Sequence, residues 1–153
     1  MMEIEKQWIE DAKVDVHKYT SLYNESITNG DSFWNEQGQR LHWYKKYTKI
    51  KNVNYSSSDV NIKWYEDGEL NVSYNCIDRF AKEDPNRIAI IWEGDDPKDT
   101  KKITYKELLL NVSKTANVLK KIGIKKGDRV TIYLTMIPEL AVLMLACARI
   151  GAI

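Results

Sequence analysis

Residues 138–150 read Pro-Glu-Leu-Ala-Val-Leu-Met-Leu-Ala-Cys-Ala-Arg-Ile, a helix-length run with apolar side chains on nearly every face. A helix of that kind needs cover on both sides. Pro138 suits its first turn, where a missing N–H costs nothing. Just upstream, Val130, Ile132 and Leu134 alternate with Thr131 and Tyr133, the period of a strand. A strand followed by an all-apolar helix is two thirds of a βαβ unit, and the third part is a returning parallel strand. Only Gly151-Ala152-Ile153 follows, so the returning strand is expected to be missing. The expectation is an α/β fold whose sheet is unfinished at this end, with an unpaired strand edge and an uncovered helix face that promote self-association.

The preceding stretch supplies a hairpin and a helix. Ile88 to Trp92 is a continuous apolar run of strand length, Glu93 to Lys102 reads as a polar turn, and Ile103 begins a second strand. Thr104-Tyr105-Lys106-Glu107 fits a capping box, in which the Thr hydroxyl accepts from the backbone and the Glu reaches back. The helix it opens carries Leu108, Val112, Ala116 and Leu119 on one stripe, flanked by Leu109 and Ile122, and Gly123 is placed as a left-handed cap. Further upstream, Asn71 is the N-cap of a helix with Val72, Cys76 and Phe80 at every fourth residue and Ile77 beside them; Asp84-Pro85-Asn86 stops it. Val60 to Trp64 reads as a short strand ended by Glu66-Asp67-Gly68.

Residues 1–58 differ in composition: Trp8, Phe33, Trp34, Trp43, Tyr44 and Tyr47 occur with few aliphatic runs. This reads as a segment that lays flat aromatic anchors on other surface and lacks a compact core of its own. Asn52 to Asp59, with Ser56-Ser57-Ser58, reads as a loop or linker.

Charge and targeting patterns exclude several function classes. Lys plus Arg is 23 and Asp plus Glu is 22, a balance that sets up no field for nucleic acid or an anionic membrane. Met1 to Lys6 shows no basic segment followed by an apolar run, so no secretory signal is read. The most apolar stretch, Leu140 to Ala148, is too short to span a bilayer. The expected compartment is cytoplasmic, and Cys76 and Cys147 are expected as small buried hydrophobes. The Asn-x-Ser triplets at Asn24, Asn54, Asn71 and Asn111 are then chance products of an Asn- and Ser-rich chain.

Catalytic patterns are missing as well. There is no Gly-rich phosphate loop. His17 and His42 are isolated from other metal-ligand types. Glu66-Asp67 and Asp95-Asp96 sit in predicted turns, where acidic residues are common. Lys120-Lys121 and Lys125-Lys126 flank a helix C-terminus, where cations favour the macrodipole without any phosphate ligand.

Read in order, several stretches resemble acetyl-CoA synthetases of the adenylate-forming ligase superfamily. They are Phe33-Trp34-Asn35-Glu36-Gln37 with Leu41-His42-Trp43; Ile62 to Val72; Tyr74-Asn75-Cys76-Ile77-Asp78-Arg79; Ala89 to Asp95; Gly123 to Val130; and Pro138-Glu139 with Met144 to Ala152. The resemblance runs from about residue 16 onward and points to the acetyl-CoA and propionyl-CoA branch. Phe80 stands where the family usually has His, and Thr135 where it usually has Pro.

The resemblance implies an N-terminal extension over 1–15, the family's N-terminal segment over 16–75, and the beginning of the large adenylate-forming, AMP-binding domain over 76–153. The fold expected is thus a truncated α/β domain preceded by an aromatic-rich, partly helical segment. The family's reaction uses ATP, Mg²⁺ and CoA. Its phosphate loop, acetate pocket, CoA and nucleotide contacts and adenylation lysine lie beyond the stretches present here. No catalytic, cofactor-binding or metal residue is therefore assigned to this chain, no cofactor is expected within it, and the isolated chain is expected to be inactive. A polypeptide carrying the rest of the ligase is the expected partner. The alternatives are a non-catalytic remnant or interaction module, and part of a propionyl-CoA synthetase.

Overall fold

The computed structural model describes residues 6–153. The reading of the extreme N-terminus as lacking a leader falls on Met1 to Lys6 and so lies almost wholly outside the described residues. The chain divides into two compact units, one ending at Gly68 and the other Glu69–Ile153.

The first unit begins with helices α1 (Lys6–Glu10), α2 (Val16–Thr28) and α3 (Gly30–Gly38). Asp15 caps α2 by accepting from the Lys18 N–H at 2.7 Å. A hairpin of β1 (Lys51–Ser56) and β2 (Asp59–Trp64) follows. The linker expected over Asn52 to Asp59 is corrected here: most of it is strand, and Ser57-Ser58 is a two-residue turn. Val53 stands opposite Ile62 and Tyr55 opposite Val60, so the alternation of β2 has its partner in β1. The polar Asn and Ser residues occupy the other positions, which masked the pattern.

This unit also has a core, against expectation. Phe33 and Tyr47 are buried. Tyr47 and Tyr65 lie 4.5 Å apart between ring centroids, Trp43 and Tyr47 4.9 Å, Phe33 and Trp34 5.0 Å, and Trp34 and Trp64 5.3 Å. The polar ends of these rings are bonded to backbone: Trp43 Nε1 donates to Gly38 O at 2.8 Å and the Tyr65 hydroxyl to Trp34 O at 2.6 Å. Aromatic rings that satisfy their own N–H and O–H groups need few aliphatic neighbours. A Cβ on Gly68 would lie 2.6 Å from the Trp43 ring, so the backbone there passes where no side chain fits. Trp8 and Tyr44 stay outside the cluster and are exposed.

In the second unit, residues 72–83 are helical, with a π-helical turn at Tyr74–Asp78 leading into α4 (Arg79–Glu83). Asn71 Oδ1 accepts from the Tyr74 N–H at 3.0 Å, the capping role expected of it. The expected stripe is mis-phased by one residue. Val72 and Cys76 are exposed, whereas Ser73 and Ile77 are fully buried. Ser73 is polar, so a hydrophobic count passes over it, yet its Oγ faces Arg149 Nη1 at 3.5 Å. Cys147 is buried as expected and burial raises its thiol pKa, whereas Cys76 is not buried.

Strands β3 (Ile88–Glu93) and β4 (Thr100–Thr104) form the expected antiparallel hairpin. Lys101 and Lys102 belong to β4, so the turn is shorter than the polar run that signalled it. The capping box at Thr104 and Glu107 is present on both sides and opens α5 (Tyr105–Lys121). Leu108, Val112, Ala116 and Leu119 are buried, as their spacing predicts. Ile122 is exposed rather than flanking the stripe. It lies in the turn that ends α5, where the Gly123 N–H reaches Lys120 O and the Ile124 N–H reaches Leu119 O, both at 3.0 Å. Gly123 supplies the φ of 99° this ending requires.

Val130 and Ile132 pack on the core cluster, but residues 128–135 make no strand ladder. The strand expected at Val130 to Leu134 is extended chain with a single rung: Ile153 donates to Asp128 O and Val130 donates to Ile153 O, each at 2.7 Å. That pair of bonds is the parallel pattern, so Ile153 takes the place of the returning strand. Helix α6 (Pro138–Ile150) starts on Pro138 and lies against α5. It is better covered than expected: Val142, Ala146 and Cys147 are buried, and of its apolar residues Met144 alone is exposed.

Candidate functional site

The most connected polar group in the second unit joins the start of the 72–83 helix to the end of α6. Arg149 places Nη1 2.8 Å and Nη2 2.9 Å from the two carboxylate oxygens of Asp78, a bidentate pair with both side chains largely covered. The Asn71 side chain serves two helices at once. Its oxygen caps the 72–83 helix through Tyr74 N–H, and its Nδ2 donates to the α6 carbonyls of Ala148 at 3.3 Å and Arg149 at 3.0 Å. Asn75 continues the chain of bonds, donating to Asn71 O at 3.1 Å and accepting from Arg79 at 3.0 Å. A duplex of charges held this way orients backbone; it presents no nucleophile and no base to a substrate. Sequence reasoning missed the network because its members stand far apart in the chain. Asn71, Asp78 and Arg149 nevertheless all fall within stretches that carry the family resemblance.

The paired carboxylates do structural work or lie in turns. Asp67 accepts from the Thr48 hydroxyl at 2.6 Å and from the backbone N–H groups of Thr48 and Lys49 at 3.0 and 3.2 Å. These bonds, the Thr48 hydroxyl first, push its pKa down to about 2. Glu66 is held below the usual carboxylate range by bonds from Lys63 and Asn52. Asp96 accepts from the Lys98 N–H within the β3–β4 turn. His17 and His42 are exposed, with the His42 ring edge-on to Tyr44 at 5.5 Å. Lys120 and Lys121 occupy the last turn of α5.

The concavities are shallow. One of about 310 Å³ lies between β3 and α6, lined by Ile90, Trp92, Met136, Pro138, Leu140 and Met144, with Trp92 Nε1 donating to Met136 O at 2.7 Å. In the first unit, Trp34, Leu41, Trp64 and Tyr65 line an apolar cleft of about 380 Å³. Among the described residues no three His, Cys, Asp or Glu converge as metal ligands. Among the described residues no helix is long and apolar enough to cross a membrane.

Comparison with known proteins resolves what these elements belong to. Residues 19–76 match the model of the acetyl-coenzyme A synthetase N-terminus, and residues 77–153 match that of the AMP-binding enzyme family. The chain belongs to the AMP-binding enzyme family. An acetyl-coenzyme A synthetase of Brucella anthropi is 60% identical over 140 residues, which is 92% of this chain and 21% of that protein. Its counterpart in Brucella canis is 59% identical over the same length. Among solved structures, an acetoacetyl-CoA synthetase from Streptomyces lividans superposes with a TM-score of 0.76 at 26% identity, over 88% of this chain and 20% of that one. The chain therefore spans about a fifth of the length of the curated relatives it matches. At the two positions where the sequence departs from the resemblance, Phe80 packs 5.3 Å from the Tyr105 ring with the Arg87 guanidinium over both, and Thr135 O accepts from Ile137 N–H at 2.8 Å.

Proposed function

We propose that this chain is the N-terminal scaffold of an acetate–CoA ligase. In the reaction of such a ligase, acetate oxygen attacks the α-phosphorus of ATP, with Mg²⁺ on the phosphates, and releases pyrophosphate. The thiol of CoA then attacks the acetyl-AMP carbonyl and AMP leaves. The residues of this chain supply no contact to the reacting atoms. Their part is to build the β3–β4 hairpin, α5 and α6, and to present the edge at Asp128 to Val130 on which a parallel sheet continues. The observation that carries the reading is the parallel rung at Ile153, formed in a chain 60% identical to an acetyl-coenzyme A synthetase.

Pyrophosphate release from ATP and acetate tests it. The purified chain alone gives the no-protein rate, because nothing in it stabilises charge at the α-phosphorus. Mixed with a polypeptide carrying the remaining sequence of a relative, it gives acetate-dependent release. Release by the chain alone, or none from the mixture when the two parts bind each other, overturns the proposal.

A further inference from the structure

The network around Asn71 has a location that its stabilising role does not require. It grips the last turn of α6 at the carbonyls of Ala148 and Arg149 and at the Arg149 guanidinium. Beyond Arg149, Gly151 turns the chain with φ 77°, its carbonyl accepts from the Gly127 N–H at 2.8 Å, and Ile153 makes the rung to Asp128 and Val130. In a βαβ unit, the angle at which the chain leaves the helix fixes which residue meets the first strand. A slip of one residue would turn every following side chain to the opposite face.

We propose that Asn71, Asp78 and Arg149 are positioning residues that set the register of the parallel strand beginning at Ile153. The π-helical turn is part of the device. It lets Ile77 enter the core, fully buried, while its neighbour Asp78 turns both carboxylate oxygens to Arg149. Single π-helical turns inside α-helices are frequent at functional sites. Asn71 then works from the other side, capping one helix with its oxygen and holding the end of the other with its nitrogen.

Hydrogen exchange read at single amides tests this in the full chain. Arg149→Met speeds exchange at Gly127, Val130 and Ile153 by about tenfold or more and leaves Val112 and Ala116 within about twofold of the parent. Asn71→Asp keeps the acceptor for Tyr74 and loses the donors to α6, and gives the same local pattern. Arg149→Lys, which keeps the charge but not the fork, falls between parent and Arg149→Met. Exchanging the charges, Asp78→Arg with Arg149→Asp, recovers part of the protection. If Arg149→Met does not fold, Asp78→Asn carries the same readout. Unchanged rates at the three amides, or equal acceleration at Val112, would show the network to be an ordinary stability contact and overturn the proposal.

Discussion

Val130 and Ile153 are joined by backbone: the Val130 N–H meets the Ile153 carbonyl at 2.7 Å, and Ile153 answers by donating to Asp128 at 2.7 Å. Two bonds that straddle Arg129 define a parallel pair. With α6 between them, these bonds bring the end of the βα connection back beside the extended residues 128–130.

The α5 stripe supports this unit. Leu119 is 8% exposed and faces the cluster of Ile103, Val112 and Val142. Leu119→Asp places a carboxylate without a partner there and costs about 3 kcal/mol or more. Chemical denaturation is expected to show a large fall in midpoint; an unchanged midpoint would mean that the stripe is not a core.

The aromatic unit is expected to be intolerant at Gly68. A methyl group there would meet the Trp43 ring at 2.6 Å and the Tyr47 Cβ at 3.1 Å. Gly68→Ala should destabilise by about 1–3 kcal/mol through overpacking. Near-ultraviolet circular dichroism should lose intensity while the helical far-ultraviolet signal persists. A variant with the parent's aromatic spectrum would contradict this packing.

Acid should loosen the join between Thr48 and Asp67. The ordinary carboxyl value of Asp67 is 3.8 and hydrogen bonds hold it at about 2 in the fold. A depressed folded pKa adds stability that is full above the unfolded value and lost as pH falls from 3.8 toward 2. Asp67→Asn should therefore flatten the pH dependence of unfolding in that window. If parent and variant keep the same slope, the Thr48 bonds do not form in solution.

Apolar surface on the second unit should drive association. Tyr133 is 99% exposed and Met136 82%, and Ile91, Met144 and Ile153 are also exposed. Extended residues 131–135 add an edge without a ladder. Sedimentation at micromolar concentration is expected to show oligomers that Tyr133→Lys with Met136→Lys reduces. A monodisperse monomer in the parent would contradict it.

The sequence by itself determined the elements whose signals are local. The capping box at Thr104, the α5 stripe, the β3–β4 hairpin, Pro138 at the start of α6 and the Gly123 ending all follow from neighbours within about one helical turn or one strand. The family resemblance could be read for the same reason, since it rests on short ordered stretches. Tertiary structure decided what depends on distant partners. It made strands of Asn52 to Ser56 by pairing them with β2, and it gave the aromatic residues a core of their own by packing them on one another. It also rotated the 72–83 helix so that Ser73 and Ile77 face inward. Hydrophobic periodicity cannot assign a buried serine or pair Asp78 with an arginine 71 residues away. Burial of a polar group is favourable only when its partner arrives in space, and that partner is fixed by the fold rather than by the neighbouring sequence.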